Sequence, residues 1–155
     1  MKRILGLTLL LLFSCFAVAG PAEDEAAATQ LMNEYRDSFA SLDAHRTSMH
    51  FNEPFMVVTA ASTSSFATRL DVEEWFKPPL SQLKDRGYGR SEWAPLRVKA
   101  LGSGVVIASG RAIRYKADGS ELETVGATYL LRSTKDGWRI AVITLHPASM
   151  ALALQ

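Results

Sequence analysis

Apolar positions follow two regimes along this chain, and the change comes near Gly87. Ahead of it the spacing is helical. Leu31, Tyr35, Phe39 and Leu42 fall at i, i+4, i+8 and i+11, one stripe of an amphipathic helix expected from Glu23 onward. Glu23, Asp24 and Glu25 crowd its start, where the helix dipole favours negative charge. Asp43 to His50 suits a short second helical turn, and Pro54 to Thr59 is a compact β-rich run. Ala60 to Thr68, rich in serine and threonine, reads as a turn or weak hairpin. Asp71 is expected to open the next helix, with Glu74 three residues on completing a capping box. Val72, Trp75 and Phe76 give that helix an apolar face. Pro78-Pro79 is expected to interrupt it, because proline removes a donor and clashes with the preceding turn. Leu80 to Arg86 resumes, and Gly87 suits a C-terminal cap.

Beyond Gly87 the period falls to two, predicting strands over 88–101, 105–115, 122–133 and 138–146. Pro95 within the first marks an edge or a bulge. Asp118-Gly119 is a two-residue hairpin signal of type I′, which requires positive φ at both positions. Pairing Ala117 with Ser120 across it sets Arg111 opposite Gly126 and Ser109 opposite Thr128. One face then carries Val105, Ile107, Ser109, Arg111, Ile113, Thr128 and Leu130. The other carries Ala108, Gly110, Ala112, Arg114, Glu123, Ala127 and Tyr129. The first is bulkier and is expected to meet the helices; a slip of one residue would reverse the assignment.

Composition bounds what such a chain can do. Its 155 residues are 48% hydrophobic, too apolar for disorder, and near the ~150 residues that form one domain. Lys+Arg is 17 against 16 Asp+Glu, so no basic excess favours nucleic acid. The first 19 residues read as a secretory signal peptide: Lys2-Arg3, an apolar run through Ala19, and Ala17-Val18-Ala19 for the peptidase. The run is short of the ~20 residues that span a bilayer. Cleavage after Ala19 leaves one domain over 20–155, secreted or periplasmic, with no membrane segment. Without Lys2 and Arg3 it has 15 basic residues against 16 acidic ones, net −1. Cys15, the sole cysteine, lies inside the signal, which excludes disulfides and a thiolate nucleophile from the mature chain. Leu12-Phe13-Ser14-Cys15 loosely matches a lipoprotein box, but bulky Phe13 stands where that signal prefers a small residue, so lipidation at Cys15 is the lesser alternative.

The order of elements, with Ser38-Phe39-Ala40-Ser41-Leu42-Asp43, Glu53-Pro54-Phe55, Val106-Ile107-Ala108-Ser109-Gly110-Arg111 and Asp136-Gly137-Trp138-Arg139-Ile140, resembles the nuclear-transport-factor-2-like superfamily. Within it the chain looks most like the SnoaL-like branch. The resemblance covers Glu23 to Pro147. It implies an α+β fold in which a curved antiparallel sheet forms a cone around the N-terminal helices and leaves a pocket at the wide end. It also implies homodimerisation through the convex sheet face. The superfamily holds isomerases, cyclases, dehydratases and non-catalytic binders, so fold alone does not assign activity.

Two readings of such a pocket follow. The first is a binder of a small, partly apolar ligand, its pocket built from Tyr35, Trp75, Trp93, Arg111 and Thr128. Aromatic rings bury area and offer a polar edge. Arg111, with space left by Gly126 opposite, would grip an anion in bidentate fashion, unless it forms an internal pair with Glu53 or Asp43. The second is a cofactor-free isomerase, cyclase or dehydratase, with His50, Glu53 or His146 as base and Tyr35 or Arg111 as oxyanion partner. An imidazole titrating near ~6.5 suits such a role. Glu53-Pro54 superficially matches the acidic residue–proline pair of the superfamily's isomerases, but no second acidic donor is evident on the later strands. His50 and Glu53, with His45 nearby, have no firm metal-ligand spacing, so neither metal nor cofactor is expected. No Ser/His/Asp arrangement is legible, and Gly102-Ser103-Gly104 is a turn without the following helix a phosphate loop needs.

Overall fold

A computed structural model describes residues 20–154; the expected leader, Cys15 included, lies outside the described residues. Helix α1 (Pro21–Ala40) starts two residues before the predicted Glu23. Pro21 supplies a φ already suited to the first turn, and Glu23 reaches back to accept the Gly20 N–H at 3.1 Å. Helix α2 (Ala44–Ser48) is capped by Asp43, which accepts the Arg46 N–H at 2.9 Å. Strands β1 (Phe51–Val58) and β2 (Thr63–Phe66) form a hairpin.

Helix α3 (Arg69–Asp85) departs from expectation twice. Thr68 is its cap, and Asp71 is the reciprocal partner three residues inside, receiving the Thr68 N–H at 2.9 Å. Pro78 and Pro79 sit within one continuous helix. They delete two backbone donors, but Val72 and Phe76 before them and Leu80 and Leu83 after them are all buried on one side. Packing of both halves overrides the local penalty. Gly87 follows with φ +79°, as a C-terminal glycine should.

Strands β3 (Tyr88–Gly102), β4 (Val105–Lys116), β5 (Glu121–Thr134) and β6 (Gly137–His146) complete a curved six-stranded sheet in the order β2-β1-β6-β5-β4-β3. The β1–β6 pair is parallel and the others antiparallel. Pro95 lies on the edge strand, at a register shift between Trp93 and Leu96, as its missing N–H dictates.

The β4–β5 turn corrects the predicted hairpin and preserves its register. Only Gly119 has positive φ (+87°). Lys116 accepts from Gly119 N and donates to Ser120 O, so the loop has three residues rather than two. A bulge between Arg114 and Tyr115 then restores the alignment, and Arg111 pairs with Gly126 and Ser109 with Thr128.

The face assignment is reversed. The side that meets the helices carries Val106, Ala108, Ala127, Tyr129 and Leu131, all buried, whereas Val105, Arg111 and Leu130 are exposed. The reason is complementarity of size. Helix α1 delivers Leu31, Met32, Tyr35 and Phe39 to the sheet, and the small Ala108 and Ala127 opposite let it approach. At the other end of α1, Asp24 accepts from Gly104 N and Glu25 from Ala100 N, each at 3.0 Å, which ties the start of the helix to β3 and the turn after it.

Candidate functional site

The helices fill only part of the concave face. Between α1, α3 and strands β3 to β6 lies a cavity of about 380 Å³ with a largely apolar lining. Trp75, Phe76 and Pro79 of α3 form one wall; Trp93, Ala112 and Ala127 of the sheet form another. The prolines expected to break α3 thus place one of its residues, Pro79, against the cavity. Small residues at 112 and 127 leave the volume that larger ones would occupy.

Polar groups at this cavity include several N–H and O–H donors. Tyr35 and Tyr129 are buried hydroxyl neighbours on facing elements, with ring centroids 6.0 Å apart. Burial pushes the Tyr35 phenol up to about 12 and the Tyr129 phenol well above its usual value, against the opposing pull of Arg114 on each. Both therefore remain protonated donors at physiological pH. Arg114 lies across the ring of Phe39, 5.0 Å from its centroid, and donates from Nη1 to Glu123 at 2.6 Å. Arg86 reaches the other oxygen of Glu123 at 2.7 Å. Burial alone would raise the Glu123 carboxyl, but the two guanidinium bonds outweigh it and hold it below the ordinary range. Trp93 Nε1 and Arg114 Nε are shut off from water and have no acceptor.

Of the residues the sequence singles out, Tyr35, Trp75, Trp93 and His146 border this cavity. Arg111 and Thr128 do not. Arg111 is exposed on the convex face, where its Nε donates to Ala94 O at 2.6 Å and satisfies a carbonyl freed by the β3 bulge. It pairs with neither Glu53 nor Asp43. Thr128 sits on the same face between Ser109 (2.8 Å) and His146 (2.9 Å). The space left by Gly126 is taken by the His146 ring and Pro147 O, both of which would meet an added Cβ at 2.6 Å.

The three candidate bases fare similarly. His146 reaches the cavity rim, but both ring nitrogens are engaged, with Thr128 Oγ1 and Pro147 O at 2.9 Å each. His50 lies off the cavity against Ser38 Oγ (2.8 Å), and burial lowers its pKa. Glu53 borders a separate recess and accepts the Arg69 N–H at 3.0 Å. His45 bonds Glu73 at 2.9 Å. The residues the sequence reading passed over are Arg86, Arg114 and Glu123. Arg114 and Glu123 do face each other across the β4–β5 pair, but on the face the sequence does not expect to meet the helices.

No curated protein matches this chain. Among solved structures, an NTF2-like protein with a cystatin-like fold from Novosphingobium aromaticivorans is 17% identical, with a TM-score of 0.68 over 85% of this chain and 86% of that one. Aln2 from a Streptomyces species is 15% identical, with a TM-score of 0.66 over 81% and 91%. An NTF2-like protein of unknown function from Shewanella oneidensis is 15% identical, with a TM-score of 0.61 over 77% and 96%. Likeness at these identities establishes the fold. A family model described as NTF2-like protein (DUF6841) matches residues 23–148, and this chain belongs to that family.

Proposed function

We propose that the protein binds one small, largely apolar molecule in the concave cavity and does no chemistry on it. The observation that carries this reading is the cavity itself: about 380 Å³ between aromatic walls that no side chain fills, within the ~300–1,000 Å³ typical of small-molecule sites. Catalysis by an isomerase-type route needs a base with a free atom at the substrate. Among the described residues, His50 and Glu53 lie off the cavity, His146 has both nitrogens bonded, Glu92 on the lining is paired with Arg90, and Glu123 is locked by two arginines.

The test is a titration with N-phenyl-1-naphthylamine, a neutral apolar fluorophore. One bound per chain is expected. Ala112→Trp, which fills the cavity from the sheet side, should abolish binding while circular dichroism stays native. Equal binding by the variant, or none by the parent, overturns the reading.

The SnoaL-like resemblance extends the proposal to an exported homodimer. On the convex face Met56, Val142, Leu130 and Ile107 are cross-strand neighbours in one row over four strands. Met56 and Leu130 are more than a third exposed, which suits the same row of a second copy. Leu130→Glu should convert a dimer to a monomer in light scattering; a monomeric parent removes this part of the proposal. For export, the mature chain should begin at Gly20 by intact mass, with a lipid-modified chain beginning at Cys15 as the contrary result.

A further inference from the structure

The charges around the cavity do not cancel. Three arginines line it, Arg36, Arg86 and Arg114, against one carboxylate, Glu92. Arg36 is neutralised by Asp37, which accepts its Nη2–H at 2.8 Å, and Glu92 is held by Arg90. That leaves Arg86 and Arg114 sharing Glu123, a group of net charge +1 at the edge of an apolar chamber. Arg86 is nearly half exposed and solvated, so Arg114, the more buried of the two guanidiniums, gains most from a further counter-charge.

The hydrogen-bonding inventory has the same sign. Trp93 Nε1 and Arg114 Nε lack acceptors. A buried N–H without a partner forfeits the bonds that water would have given it. Ser91 of β3 pairs with Arg114 and Trp93 with Ala112, so Trp93 and Arg114 are diagonal neighbours on the concave face. A small rotation of either side chain presents its N–H to one oxygenated group between them. Glu123 holds the Nη1 side of the guanidinium over the Phe39 ring, which leaves the Nε edge as the one without a partner.

We infer that the cavity takes an aromatic or alicyclic monocarboxylic acid, its carboxylate seated on the Nε edge of Arg114 beside the Trp93 indole N–H and its ring body against Trp75 and Phe76. The inference rests on the concave cavity being the binding site. It narrows the ligand by charge. A single carboxylate balances the +1 cluster, a phosphate dianion overshoots it, and a neutral ketone leaves it uncompensated.

Calorimetry on the mature chain at pH 7 with two probes of one skeleton tests it: 2-naphthoate and its neutral methyl ester. The acid should bind at least tenfold more tightly than the ester. Arg114→Gln should remove that preference by weakening the acid at least tenfold and leaving the ester within threefold. Arg111→Gln, on the other face, should change neither. If Arg114→Gln fails to fold with Glu123 half-released, Arg114→Lys keeps the charge beside Glu123 but loses the Nε edge, and Trp93→Phe keeps the ring but loses the indole N–H. Each should weaken the acid severalfold and selectively. The inference is overturned if the ester matches the acid in the parent, or if the acid's advantage survives in these variants. Ester bound without acid preference would discard the anion site and retain the cavity; neither probe bound would discard both.

Discussion

Leu130 and Leu131 are adjacent in sequence and belong to different environments. Leu131 is 0% exposed beneath the helices, and Leu130 is 36% exposed on the convex face. The contrast between the two sides of the sheet runs through the molecule. The concave side combines small residues with a few large ones and leaves a chamber. The convex side holds bulkier β-formers, and its polar groups bond to one another: Ser109 to Thr128, Thr128 to His146, and Leu152 N to Ser109 Oγ at 2.9 Å. Bulk marks the outer face here because the helices bring their own bulk to the inner one.

The largest effect expected to separate the two sides comes from these leucines. Leu131→Ala should cost about 2–5 kcal/mol, because the surrounding core collapses only partly onto the lost methyls. Leu130→Ala should cost the single chain no more than about 1 kcal/mol, measured at a protein concentration where it is monomeric. Urea titration measures both, and equal costs would erase the distinction between the faces. Gly126→Ala should come next, at about 1–3 kcal/mol, since the new methyl must push aside the His146 ring and the Pro147 carbonyl. A structure of that variant with His146 unmoved would contradict this. Arg111→Met should lose about 0.5–1.5 kcal/mol with the Ala94 carbonyl bond, yet leave naphthylamine affinity unchanged. Altered affinity would return Arg111 to the ligand site.

The smallest effect is a pH dependence from the helical side. Burial pushes the His50 imidazole below its ordinary 6.5, outweighing the pull of Glu34. The unfolded chain therefore takes up this proton first as pH falls. Stability from this group is complete above pH 6.5 and declines as pH drops through the lowered folded value. His50→Gln should flatten that part of the profile, and an unchanged slope would assign it elsewhere.

Much of this was legible in the sequence. The stripe Leu31, Tyr35, Phe39 gave α1, and Asp118-Gly119 gave the β4–β5 register even though the turn chemistry differed, because the bulge at Arg114/Tyr115 compensated for the longer loop. What was not legible was which face of an alternating strand turns inward. Period two specifies two faces and names neither, and the choice depends on side chains from α1 that are remote in sequence. That one ambiguity misplaced the candidate site: Arg111 and Arg114 stand three residues apart on β4 and so project to opposite sides. The continuity of α3 through Pro78-Pro79 was hidden for a related reason, since its stabilising contacts are tertiary.

Amide and indole NMR of the mature chain during addition of N-phenyl-1-naphthylamine shows which side of the sheet receives the small molecule. With the concave cavity as the site, saturable shifts are expected at the Trp93 indole N–H, Ala112 and Ala127, with Ser109, Arg111 and Thr128 unmoved. Shifts confined to Ser109, Arg111 and Thr128 would contradict it.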